Sequence, residues 1–418
     1  MAPKSKPAPS AISAPLTPIT PVTIKGRFFW QDDKRFLING VVYTIHKKQP
    51  GMVDPLTDEH LYDLERSIPL LTELGVNTIF VFHIDSTKNH DTAMNMLSDV
   101  GIYVLPCIAP PYDESKMITL DDLYTFGIMK WYFRCVDSMM KYQNTLGFVS
   151  STGQIDDVSK SIVAPSIRAI VRDVKEYIRL VSTKKNMRSL PVGVFIPDQR
   201  SMLKLQYEYF VSTPDRDAVD FMGINEFSYV GDSPMLHYSY HELINILSES
   251  PVPVFFSMYG NRVVVPRPFH ETQTLYTDFQ MLSTFSGGFV FEFVQSSIGF
   301  GLVERMARRK NKRYYVRFTK LQEYNNLKKM LKGSFMNLPP ITSQNPTDAS
   351  LGIRPKAPKR SENWLSKTTL PKSPVWWSKV ENDIDDSEWV DLGKDVLENA
   401  VEDLGNTLKK RLTIRDKP

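Results

Sequence analysis

Cysteine is scarce: the chain holds two, Cys107 and Cys135, in 418 residues. So few exclude a disulfide framework and lead us to expect two reduced, buried thiols, as in a reducing compartment. No apolar run reaches the roughly 18 residues that a transmembrane helix needs, so none is expected. The histidines form no H-E-x-x-H and the cysteines no C-x-x-C, so neither a metal site nor a cofactor is expected. Charge of one sign is also lacking, with 51 Lys and Arg against 47 Asp and Glu. That balance argues against a nucleic-acid partner. Met1–Val22 has no apolar core of a secretory leader, and the polar stretch Thr413–Pro418 is not a lipid-anchor tail. These features predict an intracellular protein, cytoplasmic or nuclear.

What is present is an ordinary globular composition, 42% hydrophobic and 23% charged, with proline (29) exceeding glycine (20). The prolines concentrate outside the apolar region. Residues 1–22 read as a disordered Pro-rich segment and 334–374 as a Pro-, Ser- and Lys-rich linker. Between them, over 23–333, short apolar runs alternate with helical patterns. The runs are Val41–Ile45, Thr78–Phe82, Ile102–Cys107, Leu146–Ser150, Val192–Ile196, Val219–Ile224, Val252–Ser257 and Gly288–Phe293. Continuous Val, Ile and Phe without alternation marks strands buried on both faces. Helical candidates separate them at Leu61–Leu74, Leu123–Tyr142, Ser166–Val181, His241–Leu247 and Leu275–Ser283, with Phe318–Leu331 last. Eight strands with intervening helices predict a (β/α)₈ barrel. An open doubly wound sheet is disfavoured, because no G-x-G-x-x-G or Walker loop follows an early strand. Residues 375–418 read as an acidic, Trp-rich tail. In it Trp389, Leu392, Val396, Ala400, Leu404, Leu408 and Leu412 recur at helical spacing.

Several phrases in this region carry a resemblance. They include DPLTD at Asp54, IPLLTELGVNTIFVFHID from Ile68, YQNTLGFV from Tyr142, PVFFSMYG from Pro253 and SGGFVFEF from Ser286. In order and spacing the chain resembles the fungal β-1,3-glucanosyltransferases of glycoside hydrolase family 72. The resemblance implies a retaining barrel enzyme with two glutamates, one after the fourth strand and one after the seventh. Retaining chemistry places such carboxyls about 5 Å apart across the scissile bond. Here the first position is Gly153, preceded by Thr152 in place of the family's asparagine, and the second is Met258. Glycine has no side chain and a thioether is neither acid nor base, so this reading expects a catalytically inactive barrel. Phe80 stands where the family has arginine, Phe82 and Phe227 where it has tyrosines, and Tyr229 where it has tryptophan. The family's disulfide positions correspond to Leu64, Ala93, Ser212, Val230 and Asn261. Phe82, Thr152, Asp198, Phe227, Tyr229, Tyr259 and Glu292 make up the expected former substrate cleft.

Other carboxylates invite a functional reading beside a plainer one. Asp156 and Asp157 follow Gly153 and could replace the missing acid, or form a solvated pair. Glu226 and Glu292 follow the sixth and eighth strands as cleft hydrogen-bonders or catalysts. Arg308-Arg-Lys-Asn-Lys-Arg313 reads as a hairpin or loop, or else as a phosphate-binding or nuclear-address patch. In the tail, Trp376, Trp377, Trp389 and Leu392 are candidates for binding a protein partner. An acidic lead before Trp389-Val-Asp-Leu392 resembles the motif that docks on the ubiquitin-like modifier of autophagy. The expected function is an intracellular interaction protein on an inactive barrel. The alternatives are a module that binds β-glucan in the cleft without turnover and a residual 1,3-β-glucanosyltransferase of cell-wall assembly.

Overall fold

A computed structural model of the chain describes residues 19–45, 53–111, 123–228, 236–310, 313–332 and 354–384. A small antiparallel sheet comes first: β1 (Val22–Lys25), β2 (Phe28–Gln31) and β3 (Lys34–Phe36). The barrel strands follow as β4 (Ile38–Val42), β5 (Thr78–Val81), β6 (Tyr103–Pro106), β7 (Phe148–Thr152), β8 (Val192–Ile196), β9 (Phe221–Glu226), β10 (Val254–Tyr259) and β11 (Phe285–Val290). Their neighbour order is β6-β5-β4-β11-β10-β9-β8-β7, and parallel bridges Val104–Thr145 and Cys107–Val149 join the two ends. All eight apolar runs thus fall on barrel strands, and the (β/α)₈ fold is the one expected.

Helices α1 (Leu61–Glu73), α2 (Asp91–Asp99), α3 (Phe126–Met139), α4 (Ala164–Lys185), α5 (Arg200–Val211), α6 (Leu236–Leu247), α7 (His270–Thr277) and α8 (Phe279–Thr284) lie between the strands. The single helix expected over Leu275–Ser283 is broken at Asp278. Its backbone turns extended and its carboxylate accepts from Met281 N at 3.0 Å, starting α8 afresh. The helix expected from Phe318 starts only at Gln322, as α9 (Gln322–Leu331). The residues before it form β13 (Arg313–Lys320), paired antiparallel with β12 (Val303–Lys310). The basic run therefore sits at a hairpin, with Arg308 opposite Tyr315 and Lys310 opposite Arg313.

Side chains fill the barrel interior. Phe80, Phe195, Phe255 and Phe289 pack with centroids 4.8–6.0 Å apart. Phe29 of β2 plugs the end where the strands begin, 6.0 Å from both Phe221 and Phe255. Gly193 is required here, since a Cβ would meet the Phe221 ring at 2.3 Å. Cys107 lies inside the barrel and Cys135 on the helix layer; both are buried and unbridged. Burial pushes the Cys107 thiol up to about 12. The positions matching the family's cysteines are filled otherwise. Leu64 and Ala93 are buried apolar contacts, and Ser212 Oγ donates to Tyr209 O at 2.9 Å. Asn261 Nδ2 binds the Phe227 carbonyl, and Val230 lies outside the described residues.

The segment read as a linker departs from that expectation where it is described. From Arg354 to Pro374 it packs along the barrel. Trp364 is fully buried 5.3 Å from Tyr209, and Leu365 N donates to Ser161 Oγ at 2.9 Å. Tyr209 and Arg172 donate to the carbonyls of Lys367 and Pro371. Helix α10 (Trp377–Asp383) continues this strap. Trp377 packs 6.0 Å from Phe133, whereas Trp376 is 76% exposed. Trp389 and Leu392 lie outside the described residues.

Candidate functional site

Strand ends set the site. Gly153 follows the last residue of β7, and Met258 is the penultimate residue of β10, so both lie where the parallel strands open at their C-terminal ends. Gly153 has φ +74° and donates its N–H to Phe195 O at 2.8 Å. A Cβ there would meet Pro197 at an ordinary 3.9 Å but on a strained backbone, since L-residues avoid this left-handed region. Thr152 beside it is half-buried. The pairing of β10 with β9 shifts register between Phe256 and Met258, and Met258 packs half-buried against the interior phenylalanine cluster.

That alternation corrects one expectation. Tyr259, counted as a cleft residue, points outward because it follows the inward Met258 in an extended strand. It is buried in the layer between barrel and helices, 6.2 Å from Phe256 and 3.2 Å from Thr272 Oγ1. Phe82 is half-buried, 4.9 Å from Phe80. Phe227, Phe291 and Phe300 form a half-buried aromatic trio with centroids 5.5–6.1 Å apart. Tyr229 lies outside the described residues.

The mouth carboxylates are engaged. Glu226, buried at the end of β9, takes Arg200 and the Ser228 amide (3.0 Å), and burial raises its pKa. Asp198 accepts from Phe227 N at 3.0 Å and stands 3.7 Å from Arg200. Glu292, 1% exposed, accepts from Thr44 Oγ1 at 3.1 Å and from Ser296. Asp156 and Asp157 are half exposed. Asp157 caps the turn after it by accepting from Ser159 and from Lys160 N at 3.0 Å, and both face the Lys160 ammonium. This solvated pair supplies no buried acid. Among the described residues no cluster of His, Cys, Asp and Glu could hold a metal.

Two arginines organise the mouth and escaped the sequence reading. Arg200 bridges Glu226 and Asp198. Arg267, 1% exposed, donates to the carbonyls of Gly260 (3.2 Å), Phe291 (2.6 Å) and Phe300, which ties the loops after β10 and β11 together. Neither has a spacing signal: Arg200 meets Glu226 and Ser228 from the next strand end, and Arg267 meets backbone carbonyls of two loops. Beside Arg267, burial pushes the Glu271 carboxyl up to about 7, with Arg267 opposing and Glu226 adding to the rise. The native state therefore holds a proton that the unfolded chain releases near its ordinary value of 4.5. Stability falls as pH rises from there through about 7. Glu271→Gln should flatten this slope and raise stability at pH ~8 by up to about 3 kcal/mol. Urea unfolding at about pH 5 and pH 8 measures it.

A groove of about 1120 Å³ lies away from the mouth. Leu190, Asp220 and Val252, just before β8, β9 and β10, line it with β1. It lies at the N-terminal ends of the strands, opposite the mouth.

The strands thus form an eight-stranded barrel, closed at one end by a phenylalanine plug and opening at the other on Gly153 and Met258. Residues 11–333 match the family profile described as glucanosyltransferase, glycoside hydrolase family 72, and the chain belongs to that family. It is 33% identical over 290 residues to the 1,3-beta-glucanosyltransferase gel1 of Aspergillus fumigatus, covering 68% of this chain and 61% of the relative. It is 32% identical over 315 residues to the 1,3-beta-glucanosyltransferase GAS5 of Saccharomyces cerevisiae, covering 73% and 61%. The chain thus spans about three fifths of these relatives' length. Among solved structures, Saccharomyces cerevisiae Gas2p in complex with laminaripentaose superimposes with a TM-score of 0.74 at 29% identity, covering 86% of this chain and 78% of that one.

Proposed function

We propose that this barrel has lost glucan transfer and acts as an intracellular interaction protein, cytoplasmic or nuclear, through the tail that follows Pro374. The supporting observation is the pair Gly153 and Met258 at the strand ends, one without a side chain and one a thioether among phenylalanines. Neither can attack a sugar carbon or move a proton. The other mouth carboxylates are engaged by Arg200, Thr44 and backbone amides rather than free to act.

A second reading, sugar binding without turnover, has its own support. Asp198, Glu226 and half-buried aromatics remain at the mouth, and Gas2p binds laminaripentaose. Incubating the protein with laminaripentaose and following product lengths tests the first reading; no product above a protein-free control is expected. Products that vanish in Glu226→Gln would sink it. Calorimetry on the same mixture separates the readings, because heats of binding without products favour the second.

A further inference from the structure

Helix α3 turns Phe126, Lys130 and Arg134, each four residues apart, toward α10, whose Lys379 and Asp383, with Trp376 just before the helix, line the other side. Between the two faces lies a groove of about 400 Å³, floored by the buried Val380. Its floor and rim differ in chemistry. Phe126, Val380 and Trp376 offer apolar surface, and Trp376 leaves three quarters of its indole in solvent. Lys130, Arg134 and Lys379 set three cations against one carboxylate. Burial and then its two cationic neighbours hold the Lys130 ammonium below its usual value. Asp383 Oδ2 is buried in the groove without a donor. The groove therefore suits an acidic segment with an aromatic anchor and N–H groups to spare.

Such a segment begins where the described chain stops. Ile384, 5% exposed, is followed by Asp385, Asp386, Ser387, Glu388, Trp389, Val390, Asp391 and Leu392. Five residues at ~3.4 Å reach about 17 Å, while the stretch from Trp376 through α10 to Asp383 extends only about 10 Å. Trp389 can thus reach any point of the groove. Tethering also gives the segment a local concentration on the order of millimolar.

We propose that the groove between α3 and α10 is the seat of Asp385–Leu392 of the same chain, with Trp389 beside Trp376 and the carboxylates facing Lys130, Arg134 and Lys379. Seated, the segment withholds Trp389 and Leu392, so a partner that reads them competes with the barrel. That consequence rests on the interaction role proposed above; the seat itself does not.

The test uses full-length protein and a fluorescein-labelled peptide with the sequence of residues 385–396. The peptide should bind the Trp389→Ala/Leu392→Ala chain at least about tenfold more tightly than the wild type, whose groove is filled. Adding Trp376→Ala to that chain, or Lys130→Glu with Lys379→Glu, should weaken the peptide about tenfold, the charge reversal most at low salt. Trp376→Ala removes a largely exposed side chain, so loss of folding does not confound it. Equal binding to wild type and Trp389→Ala/Leu392→Ala would mean an open groove for outside ligands. No binding to the latter would mean that the groove does not recognise the segment. Either result overturns the proposal. Because no glucan and no partner enters the assay, failure here is distinct from failure of the functional reading.

Discussion

Introducing carboxyls with Gly153→Glu and Met258→Glu is expected to give no glucan transfer and to cost about 3–5 kcal/mol of stability. Position 153 has φ +74°, which L-residues adopt at roughly 1–2 kcal/mol. Position 258 faces the phenylalanine cluster that includes Phe82 and Phe291. A carboxylate there loses water without gaining a donor, at about 2 kcal/mol or more, and takes up a proton instead. A nucleophile that must be ionised near neutral pH would then be protonated. The partner carboxyl would sit on a backbone bent away from the geometry an acid needs, and general acid–base help is typically worth about 10²–10⁴ in rate. Product analysis with laminaripentaose, alongside a thermal melt of the double variant, measures both effects. Turnover at unchanged melting temperature would show that the mouth retained its catalytic shape and lacked only the two groups.

The contrast between Met258 and Tyr259 shows what the sequence could and could not reveal. Eight strands were legible because each is buried on both faces and reads as an unbroken apolar run. Phe82 and Phe227 were placed at the mouth by the family resemblance, which matches them to tyrosines. Which way a residue points there depends on one step of the pleat, and the register shift after Phe256 sets that step. No pattern in Ser257-Met-Tyr-Gly260 announces it. The small sheet β1–β3 was missed for another reason: its strands are only three or four residues long, and Lys25, Lys34 and Arg35 interrupt the apolar pattern. Helix α5 was not anticipated, although Arg200, Lys204 and Glu208 recur every four residues along one face of it. Arg200 and Arg267 act through partners scattered along the chain, so their roles emerge only when the loops meet.

Trp364→Ala should be among the most destabilising single changes in the chain, at about 3–5 kcal/mol, although Trp364 lies in a stretch whose composition reads as a linker. Such a stretch shows no periodicity because it neither coils into a helix nor pairs in a sheet. It is held by one large anchor and by polar groups of the barrel. Trp364 is fully buried against Tyr209. Ser161 Oγ takes the amide of Leu365, Tyr209 donates to the carbonyl of Lys367, and Asp173 takes the hydroxyl of Ser373 at 2.6 Å. Trp364 Nε1 has no hydrogen-bond partner, so truncation sacrifices packing rather than a hydrogen bond. Removing the indole leaves a cavity that an extended strap cannot close by shifting one element, because its backbone is pinned on both sides. Chemical denaturation of the full chain should then lose midpoint at unchanged slope if strap and barrel unfold as one. An early transition in the variant alone would mean that the strap peels first. A cost under about 1 kcal/mol would mean that Arg354–Ile384 contributes little to the fold and that α10 is not rigidly held beside α3.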